Sequence, residues 1–250
     1  MEKLKILAIG GSPKKGNTYS VLNEIKDSFP DIDFNLLMLK DVNLEQCKGC
    51  YTCVRIGEEK CPLKDDRDMI LDEILKADGV IFASPVYVNS ATSLMKNFIE
   101  RLGYIGHRPR FYDKFAMVIA VCGMFGAKET NKFMDDIFTS FGFSVVSSLE
   151  LQVATKSEKE KIYNHEKIIE AFDKFITRIE KGEINTPTLG QVTRFYLFKS
   201  LSNLIPDYFK ADHEYYKDKP KFPFDIDASL RKEAKWSAKK TINEFVAVHV

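Results

Sequence analysis

Cys47, Cys50, Cys53 and Cys61 fall within fifteen residues, separated by gaps of two, two and seven. Three thiols at successive two-residue gaps can converge from one compact turn, and the longer gap lets a fourth return from the far side. Such an arrangement holds a cubane 4Fe–4S cluster. Pro62 follows the last cysteine, as in bacterial ferredoxins, where that fourth cysteine serves a second cluster. No second cysteine run exists in this chain, so all four are expected to serve one site. Two other readings stay open. Thiolates also hold structural zinc, although such sites usually gather two separated Cys-x-x-Cys pairs, and free thiols at this spacing can be redox-active. Lys48, Arg55, Lys60 and Lys64 flank the run and favour thiolates and an anionic cluster alike. Gly49 and Gly57 allow the tight backbone that either metal site needs.

A second constellation is the stretch Gly10-Gly11-Ser12-Pro13-Lys14-Lys15-Gly16-Asn17-Thr18. It lies between an apolar run of strand length and a segment of helical period, where backbone N–H groups and the helix dipole favour an anion. Ser12, Asn17, Thr18 and Ser20 offer hydroxyl and amide donors to a terminal phosphate monoester, and Lys14 is counted with them in the cofactor site. Dinucleotide sites instead use a G-x-G-x-x-G backbone, which is absent here. A mononucleotide such as FMN therefore fits better than a dinucleotide. The competing reading is a Gly/Pro turn with an Asn or Thr helix cap.

The elements that position these residues follow from the apolar pattern. Strand-length runs occur at Leu4–Ile9, Phe34–Leu39, Val80–Ala83, Phe115–Val121 and Phe143–Leu151, most of them continuous, which implies burial on both faces. Helical segments alternate with them at Thr18–Phe29, Asp66–Ala77, Thr92–Leu102, Ala127–Phe141 and Ser157–Lys181. The pattern predicts an α/β fold, a flavodoxin-like doubly wound five-stranded parallel sheet of order 2-1-3-4-5. Ligands then belong at the strand C-termini, where the loops 10–17, 84–90 and 122–126 emerge together with the cysteine run. We expect a first domain over 1–182, with a cysteine-rich loop at 44–64, and a mainly helical C-terminal extension over 183–250. Within the extension, helices are expected at Thr188–Ile205 and Ser229–Phe245, flanking a tract at Pro206–Asp227 rich in aromatics, proline and charge. Val192, Phe195, Tyr196, Leu201, Leu204 and Ile205 need a cover, which favours a homodimer or homotetramer.

Composition narrows the partners. The chain has 250 residues, 44% of them apolar, with 37 basic and 36 acidic side chains giving a formal net charge of +1. That balance offers no field to attract nucleic acid. No run approaches membrane-spanning length and none has signal-peptide form, so a cytoplasmic protein without a transmembrane segment is expected. Cys122 stands apart in an apolar stretch, as a small buried side chain does.

After the third strand comes Ser84-Pro85-Val86-Tyr87-Val88-Asn89-Ser90, and then Leu94-Met95-Lys96-Asn97-Phe98-Ile99-Glu100-Arg101. This resembles the NADPH-dependent FMN reductase and flavodoxin-like oxidoreductase family over about residues 1 to 180. The resemblance implies that the Ser-Pro-x-Tyr loop, Pro85, Val86, Tyr87, Val88 and Asn89, cradles a flavin ring. It implies that Gly123, Phe125 and Gly126 form a third flavin loop, and that the Met-Lys-x-Phe helix organises a dimer. The first loop matches the family's Gly-Ser-Pro-Arg/Lys-x-Gly-Asn-Thr phosphate motif. With the cysteine run included, the chain is most similar to the iron–sulfur flavoproteins. Two departures bear on the flavin floor: Val88 stands where many relatives carry Trp, and the third loop reads Cys-Gly-Met-Phe-Gly in place of a double glycine.

The expected function is an FMN-dependent oxidoreductase that takes electrons from NAD(P)H and passes them, through a 4Fe–4S cluster, to a small-molecule or protein acceptor. The cofactor carries such chemistry, so no catalytic side chain is assigned. The alternative is an electron-transfer flavoprotein that exchanges electrons with ferredoxin-type partners and has no NAD(P)H activity of its own. A zinc-stabilised binding module is a third class. His107, His165, His213 and His249 have no partner at triad or metal spacing and are set aside. Asp65 and Asp66 are expected to cap a helix; Tyr104 and Arg108, between the third helix and the fourth strand, could reach the flavin or the nicotinamide and are left unassigned.

Overall fold

A computed structural model describes residues 3–155 and 157–249. Its elements in chain order begin with β1 (Lys5–Gly10), α1 (Asn17–Ser28), β2 (Asp33–Met38), α2 (Thr52–Arg55) and α3 (Arg67–Lys76). Next come β3 (Gly79–Tyr87), β4 (Ser90–Ala91), α4 (Ser93–Arg101), β5 (Phe115–Cys122), α5 (Ala127–Ser140) and β6 (Ser144–Gln152). Four helices complete the chain: α6 (Glu158–Glu180), α7 (Leu189–Leu204), α8 (Lys210–Lys217) and α9 (Ala228–His249). The sheet runs β2-β1-β3-β5-β6, all parallel, with β4 paired antiparallel to β3. Counting the parallel strands alone, this is the flavodoxin-like 2-1-3-4-5 order that the sequence predicts.

Burial follows strand position. Every residue of β5 is buried, whereas the edge strand β6 alternates over its second half and β2 is covered only in part. Successive residues of a strand point to opposite faces, so Leu7 and Ile9 join Phe98 and Phe138 under α4 and α5, while Ile6 and Ala8 join Leu22 and Phe172 under α1 and α6. Phe82 and Phe138 stack with ring centroids 3.5 Å apart. Both layers leave the C-terminal rim of the sheet free to carry loops.

Beyond Gly182 the chain builds a third apolar cluster, in which Val192, Phe195, Tyr196, Tyr216, Phe222 and Ala234 are buried together. The apolar face that suggested a partner subunit is thus covered within the chain; of the six residues named for it, only Leu204 is exposed. The tract 206–227 contains α8, a helix not anticipated. Its eight residues, about two turns between flanking prolines, are too short a run for pattern to separate from loop. Its hold is tertiary: Tyr216 is buried and its hydroxyl donates to the carbonyl of His107 at 2.6 Å. Among the described residues no helix is long and apolar enough to cross a membrane.

Candidate functional site

The first loop leaves β1 at Gly10 and is drawn against β3 and the start of α4. Gly11 N–H donates to the Ala83 carbonyl at 2.7 Å, and its own carbonyl accepts from Thr92 Oγ1 at 2.6 Å. A Cβ at Gly11 would come within 2.9 Å of the Met95 Cβ, so only glycine permits this approach. Ser12 is buried, and its hydroxyl donates to the Lys14 carbonyl at 2.7 Å. Lys14 is exposed, with its stem lying over Gly16, where an added Cβ would stand 3.6 Å from Lys14 Cε. α1 then opens at Gly16 without any side-chain cap. The Asn or Thr cap weighed from the sequence is therefore not formed. Thr18 Oγ1 is buried with no hydrogen-bond partner, in the first turn of a helix whose first N–H groups are free of side-chain caps.

The second loop is the tip of a hairpin. β3 continues past Ala83 to Tyr87 because β4 pairs with it, Val86 opposite Ala91 and Tyr87 opposite Ser90. Val88 and Asn89 form the two-residue turn at φ of 51° and 57°. A two-residue hairpin asks for positive φ at both positions, which suits asparagine and strains a β-branched residue. Val88 is nonetheless fully exposed, and Tyr87 beside it is half exposed. Pro85 and Val86 lie lower, half-buried.

The third loop meets the second directly. Gly126, at φ +92°, faces Asn89, whose Oδ1 would lie 2.9 Å from an added Cβ. Gly123 is exposed, and Met124 and Phe125 stand out from the surface at 70% and 72% exposure. The fold thus brings Ser12, Asn17 and Thr18, the 85–89 hairpin and Gly123–Gly126 to one edge. Open clefts border it, one of about 560 Å³ beside Met124–Ala127 and one of about 600 Å³ beside Asn17 and Ser20. Cys122, buried as expected, floors the first of these.

The cysteine loop joins the same edge from β2. Asn97 on α4 holds its entry: Oδ1 accepts from Cys47 N–H at 3.2 Å and Nδ2 donates to the Leu44 carbonyl at 3.0 Å. Cys50 is exposed, and the hydroxyl of Thr52 donates to its Sγ at 3.3 Å, which lowers the thiol pKa. Cys53 lies farther in. Burial raises its pKa, the neighbouring thiolates of Cys61 and Cys47 add to the rise, and the positive charge of Arg108 opposes it. Cys61 is buried, and Arg101 Nη1 donates to its Sγ at 3.3 Å. Among the described residues no three His, Cys, Asp or Glu side chains converge in a metal-holding group. Cys53 and Cys61 face inward while Cys50 stands apart.

Two supports of this loop escape sequence reasoning. Arg101 is pinned by Asp65, a buried ion pair at 2.7 Å, so Asp65 is more than a helix cap. Its Oδ1 does accept the Arg67 N–H at 3.2 Å, but Asp66, at the cap position of α3, makes no side-chain cap and accepts instead from Asn43 N–H. Tyr104 and Arg108 are both buried, beside the cysteine loop. Tyr104 is buried, with the guanidinium groups of Arg67, Arg108 and Arg110 at 5.7, 5.4 and 5.2 Å from its ring centroid. Arg108 donates to the Cys53 carbonyl at 2.7 Å. His107 pairs with Asp212 and His165 with Glu24, the latter two lining the cleft beside Asn17 and Ser20, and the side chain of His249 lies outside the described residues.

Comparison with known proteins agrees with this geometry. The NADPH-dependent FMN reductase family matches residues 4–158. An iron–sulfur flavoprotein of Archaeoglobus fulgidus is 30% identical over 231 residues, covering 86% of this chain and 99% of that protein. Another, from Clostridioides difficile, is 33% identical over 218 residues, covering 85% of this chain and 94% of its own length. The crystal structure of RosB with a bound 8-demethyl-8-formylriboflavin-5'-phosphate intermediate superposes with a TM-score of 0.53 over 90% of this chain and 92% of that one, at 16% identity, a likeness of fold alone. Fold, loop motifs and relatives agree that the chain belongs to the NADPH-dependent FMN reductase family, with iron–sulfur flavoproteins as its full-length relatives.

Proposed function

We propose that this chain is an FMN-dependent oxidoreductase that takes electrons from NAD(P)H and passes them, by way of a 4Fe–4S cluster on Cys47, Cys50, Cys53 and Cys61, to an acceptor. The observation that carries the FMN assignment is Thr18 Oγ1, a buried hydroxyl without a partner at an uncapped helix N-terminus. A buried polar atom left unpaired costs about 1–3 kcal/mol. A phosphate monoester supplies the missing acceptor and meets the helix dipole as well. Bound FMN supplies the two-electron and one-electron chemistry that the side chains lack.

The residues have separable tasks in this reading. Thr18, Asn17 and the backbone of the first loop take the phosphate, with Ser12 shaping the turn by its bond to the Lys14 carbonyl. The 85–89 hairpin supplies the wall for the ring and Gly123–Gly126 the opposite lip. Tyr87, Met124 and Phe125, exposed apolar side chains at that edge, exclude water once a planar ring lies between them. Lys14, exposed beside Gly16 at the start of α1, adds a positive charge for the phosphate.

For the cluster, the donor chemistry fits: soft thiolates with no histidine or carboxylate among them, and an arginine donating to the innermost sulfur. Cys50 is the thiol that has to turn inward, and Gly49 beside it, at φ +61°, has open space on its Cβ side. Oxygen-free purification followed by an absorption spectrum with flavin, iron, sulfide and zinc analysis tests the assignment. FMN with iron and sulfide in a ratio of about four each per chain is expected. Steady-state NAD(P)H oxidation with ferricyanide is expected to turn over; reduction only after addition of a ferredoxin-type donor would instead make the chain an electron carrier.

A further inference from the structure

The extension beyond Gly182 reaches the cysteine loop through a chain of buried polar contacts. Arg108 lies just after α4, and its side chain is 3% exposed. Nη1 is bonded to Asp212 Oδ1 on α8, and Nη2 donates to the Cys53 carbonyl at 2.7 Å and to Glu58 Oε2 at 2.8 Å. Glu58 is held a second time by Arg110, at 2.6 Å. Cys53 and Glu58 bracket the start of the segment between the third and fourth thiols.

The charge balance gives this arrangement a direction. Arginine cannot shed its proton, and burying it is costly unless a carboxylate accompanies it. Glu58 is shared with Arg110 and partly exposed, so it neutralises Arg108 only in part. Asp212, 1% exposed, completes the pair from 104 residues downstream in sequence. Asp212 is itself oriented by His107 Nδ1 at 2.9 Å, and α8 is anchored by the Tyr216 hydroxyl on the His107 carbonyl and the Tyr215 hydroxyl on that of Pro109. From the other side, Arg55 on α2 lies over the ring of Tyr208, 5.0 Å from its centroid.

We propose that the C-terminal extension is a working part of the cysteine site: Asp212 positions Arg108, and Arg108 positions the backbone of Cys53 and the side chain of Glu58. Docking of α8 then fixes how far Cys53 is drawn inward. Coupling of this kind is reciprocal: loosening the loop loosens the extension by the same factor. It rests on the contacts above and holds whether or not the thiols carry iron.

Hydrogen–deuterium exchange on the full-length protein, read by mass spectrometry, tests it. Asp212→Ala is expected to speed exchange in peptides spanning 52–61 by about tenfold or more, the size of a local opening released by an unpaired buried charge. Peptides of α1 and β1 stay unchanged, and Asp212→Glu restores most of the protection. Glu58→Gln is expected to speed exchange across 210–217 in return. Faster exchange at 210–217 in Asp212→Ala with 52–61 unchanged overturns the proposal, as does a failure of Glu58→Gln to move α8. Should Asp212→Ala not fold, Tyr216→Phe loosens α8 from its anchor on the His107 carbonyl and is read at the same peptides. Iron assayed on the same samples separates the two claims: iron-free protein with coupled exchange rejects the cluster alone, and iron-bearing protein with uncoupled exchange rejects the coupling alone.

Discussion

Arg101 joins Cys61 to Asp65: its Nη1 lies 3.3 Å from the cysteine sulfur and its Nη2 2.7 and 2.9 Å from the two carboxylate oxygens. Arg101 ends α4, the helix that the family resemblance assigns to a dimer, yet here it is 4% exposed and turned into its own chain. Removing one member of a buried pair leaves the other charge unpaired at a cost of about 3–5 kcal/mol, whereas replacing both by apolar groups is close to neutral. Urea denaturation of Arg101→Met is therefore expected to show a loss of that size, and Arg101→Met with Asp65→Leu to recover most of it. Equal losses in the single and double variants would show that the pair is not what the helix end depends on.

Asp65 also gives the loop an acid limit. Burial alone would raise its pKa, but the Arg101 guanidinium and the N–H groups of Arg67 and Glu45 outweigh it and hold the carboxyl below the usual carboxylate range. A carboxylate whose folded pKa is depressed binds fewer protons when native than when unfolded. Its stabilisation is therefore complete above the ordinary aspartate value of about 4 and is lost as pH falls through the depressed one. Stability measured from pH 7 to 2 is expected to fall less steeply in Asp65→Asn than in the parent over that acid window. Parallel curves would remove Asp65 from the acid response.

What the sequence makes legible here is what local pattern encodes. The apolar runs at 4–9, 80–83 and 115–121 fix the sheet order because continuous burial leaves few topologies, and the motif at Gly10–Thr18 marks the strand-to-helix turn that follows. The hairpin at Val88–Asn89 is invisible to propensity, since no turn rule predicts valine at positive φ. Arg101, Arg108 and Asp212 are hidden for another reason. Their meaning lies in partners 36, 55 and 104 residues away, Asp65, Cys53 and Arg108. Charged residues at such separations look like ordinary surface until the fold buries them.

The unpartnered hydroxyl of Thr18 predicts two effects of opposite sign. Thr18→Val keeps the shape and removes the buried polar group, so the flavin-free protein is expected to gain about 1 kcal/mol of stability. FMN binding loses a hydrogen bond to a charged acceptor, worth about 1.5–3 kcal/mol, or roughly ten- to a hundredfold in Kd. Thermal denaturation without flavin and fluorescence titration with FMN measure the two separately. A variant that is both less stable without flavin and unchanged in affinity would give Thr18 a packing role and move the phosphate elsewhere.

Val88 predicts a trade between stability and flavin binding. At φ 51° its branched side chain costs roughly 1–2 kcal/mol, and being fully exposed it gains nothing from packing in return. Val88→Gly relieves that strain, although the added freedom of glycine in the unfolded chain returns part of the gain. A net stabilisation of about 0.5–1 kcal/mol is expected in flavin-free protein. Val88 also stands at the hairpin tip beside Tyr87, where a flavin ring would rest against it, so the same variant is expected to bind FMN more weakly. A Val88→Gly protein with higher stability and undiminished FMN affinity would show that the hairpin tip does not touch the ring.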